Sequence, residues 1–355
     1  MSGVHQFVPM LHRGDAVGRH TLHLRDLMVA RGIDTRIYVE LIDPETEDET
    51  TLVSTYPEHS QPGDVLVYQF ATASAMAAWL AARRETLVVN YHNITPPELL
   101  APWDNHLALG QLRAQGELGL LVERAALAVA DSHYNREHLI AAGFKATAVV
   151  PPSAGLDPAV LAAAPRPAVR TPDGSGARWL CVGRIAPNKA IEDVVMALLV
   201  ARSTSDPGAT LEIVGRPVIA SYASALRRFV FEAGLHEAIT FRGHASDADL
   251  AAAYARADVL VVASGHEGFG VPLIEAMSVG LPIVHSSAGA LPEVVGDAGV
   301  MTDTEDPWAL AGTIAELLGD PARCLALAAA GRAQLQALDL ETAGDRLIDL
   351  VCALR

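Results

Sequence analysis

Residues 259–286 read VLVVASGHEGFGVPLIEAMSVGLPIVHS. VLVVAS is an uninterrupted apolar run, the pattern of a strand buried on both faces of a parallel sheet. It stops at Gly265. Pro272 suits the first turn of a helix and Gly280 its carboxyl-terminal stop, so VPLIEAMSVG reads as a helix and LPIVHS as the next strand. A strand, a glycine-bearing loop, a crossover helix and a second strand make one unit of a parallel α/β sheet.

The same alternation extends upstream. RWLCVGR, ATLEIVG and ITFRG read as strands, separated by the helical patterns IEDVVMALLVAR, SYASALRRFVFEAG and SDADLAAAYARA. An independent series fills the first half. Its strands are VHQFVPM, TRIYVEL, DVLVYQF, TLVVNYHN, ALAVADS and TAVVPPS. HTLHLRDLMVARG, SAMAAWLAARR, a segment near LGLLVERA and NREHLIAAG are its helices. Between the series lies PPSAGLDPAVLAAAPRPAVRTPDGSGA, rich in Pro, Gly and Ala, which reads as an interdomain linker. The expected organisation is a first domain over residues 1–152, a linker at 153–176 and a second domain over 177–335. A last helix at 336–355 is expected to cross back to the first domain. The fold class is α/β: two doubly wound, Rossmann-like domains whose facing strand ends would make a cleft.

Bulk properties narrow the partners. A formal net charge of -16 disfavours nucleic acid and anionic membranes, which reward clustered positive charge, but a small anionic ligand needs only local cations. No evident basic amphipathic face points to a strong membrane association. Cys181, Cys324 and Cys352 are widely spaced and form no CxxC, arguing against a disulfide framework or zinc site. The start MSGVHQFVP lacks the pattern of a signal peptide, and no apolar run is long enough to span a membrane. The expected location is the cytoplasm.

Four stretches could carry chemistry. In GHEGFG, Glu267 precedes Gly268, Phe269 and Gly270, in a loop that opens onto Val271 and the helix start. Glycines there let a ligand approach the backbone, and free amides at a helix start favour an anion such as phosphate. Glu275 is placed on the first helical turn; a purely structural alternative is a carboxylate stabilised by the helix dipole. The second stretch, VGRIAPNKAIED (182–193), puts Gly183, Arg184 and Lys189 in another strand-to-helix turn. Two cations beside backbone amides suit a pyrophosphate; solvated surface cations are the alternative. Lysine occurs only at Lys145 and Lys189, which weakens that alternative. The third, HRGDAVGRHTLHL (12–24), carries Gly14, Asp15 and Gly18 without forming GxGxxG. The fourth, VVNYHNITPP, places His92 just past a strand end, either at a cleft or in a structural role. Asp247-Ala248-Asp249 looks like a metal-binding DxD, but its setting reads as a helix start with first-turn acids.

The run from GHASDADL through HEGFGVPLIEAMSVGLPIVHSSAGALPEVVGDAG, with VGRIAPNKAIED upstream, closely resembles the retaining glycosyltransferases of family 4. Their signature is a glutamate, seven residues and a second glutamate around Gly-Phe-Gly; Glu267 and Glu275 match it, as do the flanking Gly-His and Pro-Glu elements. The likeness is strongest over 180–300. It is weaker at the Gly14 to His20 loop, YHNITP and ADSHYNREHL. It implies the GT-B architecture and a UDP- or GDP-sugar donor. It also implies a hydroxyl acceptor (saccharide, lipid-linked or small molecule), a place in bacterial glycan biosynthesis, and no metal or other cofactor. By the resemblance, Arg184 and Lys189 would hold the diphosphate. Glu267 with the Phe269 and Gly270 amides would meet the transferred hexose, and Glu275 the ribose. Gly243 and His244 would lie near the base. Gly14, Asp15 and Gly18 would approach from the first domain, and His92 would sit at the reacting centre. A nucleotide-sugar epimerase, a glycan phosphorylase or a non-catalytic nucleotide-sugar-binding subunit are the alternatives on this architecture.

Overall fold

The computed structural model describes residues 2–164 and 176–355. In the first sheet the strands are β1 (Val4–Val8), β2 (Ile37–Val39), β3 (Thr50–Leu52), β4 (Val65–Phe70), β5 (Thr86–Tyr91), β6 (Ala125–Ala130) and β7 (Thr147–Val149). The second holds β8 (Arg178–Val182), β9 (Thr210–Val214), β10 (Ile239–Gly243), β11 (Val259–Val262), β12 (Ile283–His285) and β13 (Gly299–Met301). Their spatial orders are β3-β2-β1-β4-β5-β6-β7 and β10-β9-β8-β11-β12-β13. Adjacent strands pair in parallel, as β1 does with β4 and β8 with β11. Both sheets are therefore Rossmann-like and doubly wound, as the GT-B architecture requires. Their winding reverses between β1 and β4 and between β8 and β11. The edge strands β3 and β13 are absent from the sequence reading. Each is three residues long and partly exposed, too short to show a period.

Two compact units emerge. One comprises residues up to Pro97, His106–Gly155 and Asp339–Arg355; the other comprises Glu98–Asn105 and Leu156–Leu338. Glu98–Asn105 thus leaves the chain order of its neighbours. Within the second unit the Trp103 ring meets Tyr222 edge-on at 5.1 Å, and Ser221 Oγ donates to the Trp103 carbonyl at 2.9 Å. The stretch read as a linker contains a short helix, Pro158–Ala162, capped by Asp157 through its bond from the Ala159 amide. Residues 165–175 of that stretch lie outside the described residues. The helix expected near 118–125 instead runs Asn105–Leu121.

Strand alternation splits the first unit's core into two layers. On β4, Leu66, Tyr68 and Phe70 face one layer with Phe7, Leu80 and Leu118. Val65 and Val67 face the other, with Leu24, Met28, Leu347, Ile348 and Val351. The second layer is closed by the terminal helix Leu340–Cys352, which packs on the helix Ala16–Ala30. Gly344 permits the approach, because a Cβ there would lie 2.5 Å from Leu27 Cδ1. Arg31 reaches Asp345 and Asp349 at 2.5 and 2.6 Å. Those pairs are exposed, so the apolar contact supplies most of the holding energy. No helix among the described residues is long and apolar enough to cross a membrane.

Leu347 is 1 % exposed, so Leu347→Ala should destabilise the chain by about 2–5 kcal/mol. A urea-unfolding midpoint unchanged from the wild type would show that the terminal helix is not part of the cooperative core.

Candidate functional site

In the second unit the two strongest sequence motifs leave the two strands at the reversal of winding. The loop from Gly183 follows β8 and the loop from Ser264 follows β11. Cys181, Gly183, Arg184, Lys189, Val262 and Ser264 line one shared depression. Burial pushes the Cys181 thiol up to about 12, so at neutral pH it is an inert part of the floor.

Backbone packing shapes the β8 loop. Gly183 adopts φ +138°, and a Cβ on Gly215 would lie 1.8 Å from the Gly183 carbonyl oxygen. Pro187–Lys189 forms a single 3-10 turn. Ala190 then takes φ 46° before the helix Ile191–Thr204. A left-handed alanine costs about 1–2 kcal/mol, held here by bonds on each side (Ala190 N to Pro187 O, 3.0 Å; Asp193 N to Ala190 O, 3.1 Å). The Lys189 ammonium ion-pairs with Glu267 Oε2, each side chain 17 % exposed. Ser264 Oγ is also near that oxygen, at 3.4 Å. Arg184 is exposed at the rim.

Neighbouring backbone locks the second loop. The Gly265 amide donates to the Asn188 carbonyl at 2.9 Å, and the Ala290 amide to the Glu267 carbonyl at 2.9 Å. Asn188 Nδ2 donates to the His266 carbonyl at 3.3 Å. A Cβ on Gly289 would lie 2.1 Å from the Glu267 carbonyl oxygen. Asn188 and Gly289 were not singled out in the sequence; Asn188 sits inside PNK and Gly289 inside SAGA, and neither spacing reveals that it supports Glu267. Gly268 lies in the same loop and Phe269 is buried beneath it. Gly270, at φ 98°, is the N-cap of the helix Val271–Ser278. Because that helix starts at Val271, Glu275 lies in its second turn rather than its first. It is 3 % exposed, with its carboxylate accepting from the Tyr254 hydroxyl at 2.7 Å and the Leu156 amide at 3.0 Å. Gly243 closes β10 with φ 67°, followed by exposed His244. Ser246 caps the next helix and bonds Asp249 at 2.6 Å, so Asp249 is part of the helix start.

The first unit treats its predicted residues differently. Gly14 is exposed. Asp15 is the N-cap of the helix Ala16–Ala30 and accepts from the Gly18 amide at 2.7 Å. Gly18 must lack a side chain, since a Cβ would lie 1.8 Å from the His12 carbonyl oxygen. These two positions have structural work independent of any ligand.

Around His92 lies a buried polar chain drawn from three adjacent strands. Gln6 donates to the Thr21 carbonyl at 2.9 Å, Gln69 to Gln6 at 2.8 Å, and Asn90 to Gln69 at 2.9 Å. His92 Nε2 meets Gln69 Oε1 at 2.7 Å, and its Nδ1 meets Asp131 at 3.0 and 3.1 Å. Both ring nitrogens are therefore engaged within the unit. Asn93 follows with φ 79°, its amide bonded to Asn135 at 2.6 Å. His20 accepts from the Ser153 amide at 3.0 Å and sits edge-on to His92 at 5.4 Å. Burial, with the neighbouring His92 and His23, holds its pKa well below the ordinary 6.5.

Comparison with known proteins supplies an independent line. Residues 176–320 match the family model described as Glycosyl transferases group 1. A GDP-mannose:cellobiosyl-diphosphopolyprenol alpha-mannosyltransferase of Xanthomonas campestris is 37% identical over 112 residues, 30% of this chain and 29% of that protein. A GDP-mannose-dependent alpha-(1-6)-phosphatidylinositol monomannoside mannosyltransferase of Mycobacterium tuberculosis is 31% identical over 162 residues, 43% of this chain and 41% of that protein. The chain thus spans less than half the length of these curated relatives. Anabaena HepE, solved with UDP and glucose, superposes with a TM-score of 0.77 at 18% identity, covering 99% of this chain and 100% of that one. A sucrose-phosphate synthase from Thermosynechococcus elongatus gives 0.77 at 21% identity, covering 99% of each chain. Those two likenesses show the fold.

A buried histidine kept neutral stabilises the fold fully above its unfolded pKa, and that contribution is lost as pH falls below it. His20 has a lowered folded pKa, and burial also lowers His5 and His138 of the same unit. The stability of the wild type should therefore fall as pH drops from about 7.5 to 5.5. His20→Gln should show a shallower fall in urea titrations across that range, whatever its stability at pH 7.5. An equal slope would mean that His20 charges in the folded state.

Proposed function

We propose that this chain, whose residues 176–320 match the family model of group 1 glycosyl transferases, moves a hexosyl group from a nucleoside diphosphate sugar to a hydroxyl acceptor with retention of configuration. The observation that carries the reading is the meeting of Lys189 and Glu267 over one depression, from the two loops at the reversal of winding. A switch point is where doubly wound sheets bind nucleotides. A lysine poised there beside exposed Arg184 and the helix start at Val271 suits a diphosphate.

Each residue then has a task. Lys189 and Arg184 take the negative charge that grows on the diphosphate as the sugar–phosphate bond breaks. Glu267, released from Lys189 by the competing phosphate, accepts hydrogen bonds from the hexose hydroxyls. The Phe269 and Gly270 amides lie alongside it. Glu275 receives the ribose, and Gly243 with His244 border the base. The acceptor hydroxyl attacks the face the diphosphate leaves, and a leaving phosphate oxygen takes its proton. His92, committed to Asp131 and Gln69, serves as a fixed wall rather than a proton shuttle. Gly14 and the backbone about Asp15 and Gly18 border the same part of the first unit. The reaction needs no metal ion, because these cations and amides neutralise the leaving group.

The donor is a UDP- or GDP-hexose. The two mannosyltransferase relatives are named for GDP-mannose and for lipid-linked acceptors, which makes that pair the first to assay. Screening UDP- and GDP-hexoses for thermal stabilisation should single out one donor, through the mass-action gain of a ligand that binds only the folded state. With that donor, Lys189→Ala should lower kcat/KM by about 10²-fold or more while still folding cooperatively. Wild-type turnover in this variant would refute the diphosphate assignment. Activity should also persist in excess EDTA; loss of activity restored by a divalent ion would replace the metal-free mechanism.

A further inference from the structure

Glu275 is a carboxylate almost wholly inside the second unit, and donors from two separate elements converge on it. The Tyr254 hydroxyl, on the helix Asp247–Arg256, donates to Oε2 at 2.7 Å. The Leu156 amide, where the chain enters the second unit, donates to Oε1 at 3.0 Å. Tyr254 is fully buried. Its single hydroxyl proton also has the Pro272 carbonyl in reach at 3.5 Å, but the shorter, charge-assisted bond takes it. The two bonds hold different oxygens, and so fix the plane of the carboxylate as well as its position. A carboxylate presents about four acceptor directions; setting the plane sets all of them.

The surrounding packing explains why a tyrosine is needed. The helix Pro158–Ala162 packs against both the helix Asp247–Arg256 and the helix Val271–Ser278. Leu156 and Leu161 are buried. A phenylalanine would fill the ring's space equally well. It would lack the hydroxyl that donates to the carboxylate.

We infer that Tyr254 is a positioning residue for nucleotide recognition: with the Leu156 amide it orients the Glu275 carboxylate toward the ribose hydroxyls. The inference rests on the proposed function, which assigns Glu275 to the ribose. The ribose is remote from the bond that breaks, so Tyr254 acts on ground-state binding. Its loss raises the donor KM and the nucleotide Kd and leaves kcat in place.

The test uses the full chain, with UDP and GDP as probes in titration calorimetry. Tyr254→Phe should weaken whichever nucleotide the wild type binds by about tenfold. Turnover at saturating donor should stay within about twofold of the wild type. Glu275→Gln should weaken binding at least as much. The double variant Tyr254→Phe/Glu275→Gln should bind no more weakly than Glu275→Gln alone, because the hydroxyl acts through the carboxylate. Wild-type affinity in Tyr254→Phe overturns the inference and leaves the proposed function standing. So does a loss that adds in full to that of Glu275→Gln, which would place Tyr254 in packing alone. A wild type that binds neither UDP nor GDP overturns the proposed function, and this inference with it.

Discussion

Between β8 and β11 the winding of the second sheet reverses, and the connections leaving these two strands run to opposite faces. Residues of the two loops and strands line a depression at their carboxyl ends. Whatever the loops place there is set against a rigid, fully paired floor. The backbone contacts around the loops follow from this constraint. Gly215 lets the turn after β9 touch the Gly183 carbonyl, and Gly289 lets the turn after β12 touch the Glu267 carbonyl. Asn188 bonds one loop to the other. Loops are the mobile parts of most folds. Here they are braced on three sides, which holds Lys189 and Glu267 together.

The Lys189–Glu267 pair carries an electrostatic consequence. Each side chain is mostly withdrawn from water, and a half-buried lone cation would repay that loss poorly. Pairing with Glu267 neutralises it in place. Under the proposed function, a diphosphate would offer Lys189 a stronger partner and free the carboxylate for neutral hydroxyls.

Much of the fold was legible because parallel strands are buried on both faces and appear as plain apolar runs. VLVVAS and LPIVHS gave strands and helix order within a residue or two of Val259–Val262 and Ile283–His285. The edge strands and the docking of Trp103 on Tyr222 were not legible. Short exposed strands have no period, and a contact between distant segments leaves no local pattern. Of the site, the loops bearing Lys189 and Glu267 could be read from glycines at strand ends. The helix start at Val271 was legible, but Glu275 lies four residues beyond it and so falls in the second turn, not the first. Asp15 and Gly18 looked like ligand-facing positions, yet a carboxylate cap and a glycine under a carbonyl leave the same letters in the sequence. The partners of His92 could not be inferred, since Gln69 lies on β4 and Asp131 just follows β6, and only the sheet order brings them together.

Non-glycine residues with positive φ among the described residues are Asn93, Ala190 and Asp339. They do not fall at random. Asn93 follows His92 and Ala190 follows Lys189. Asp339 stands between the helices Pro321–Leu338 and Leu340–Cys352, where the chain passes from the second unit to the first. Asn and Asp tolerate the left-handed region better than other side chains, and Asn93 is also tied to Asn135, which is distant in sequence. Ala190 has no side-chain means of compensation, so its strain must be met by the helix that follows and by the turn that precedes it. A right-handed residue there would extend the helix backward through Lys189 and turn its side chain away from Glu267. The strain is therefore what separates the lysine from its helix and delivers it to the β11 loop. Glycine would remove that cost but loosen the turn; alanine keeps the turn narrow and the lysine in place.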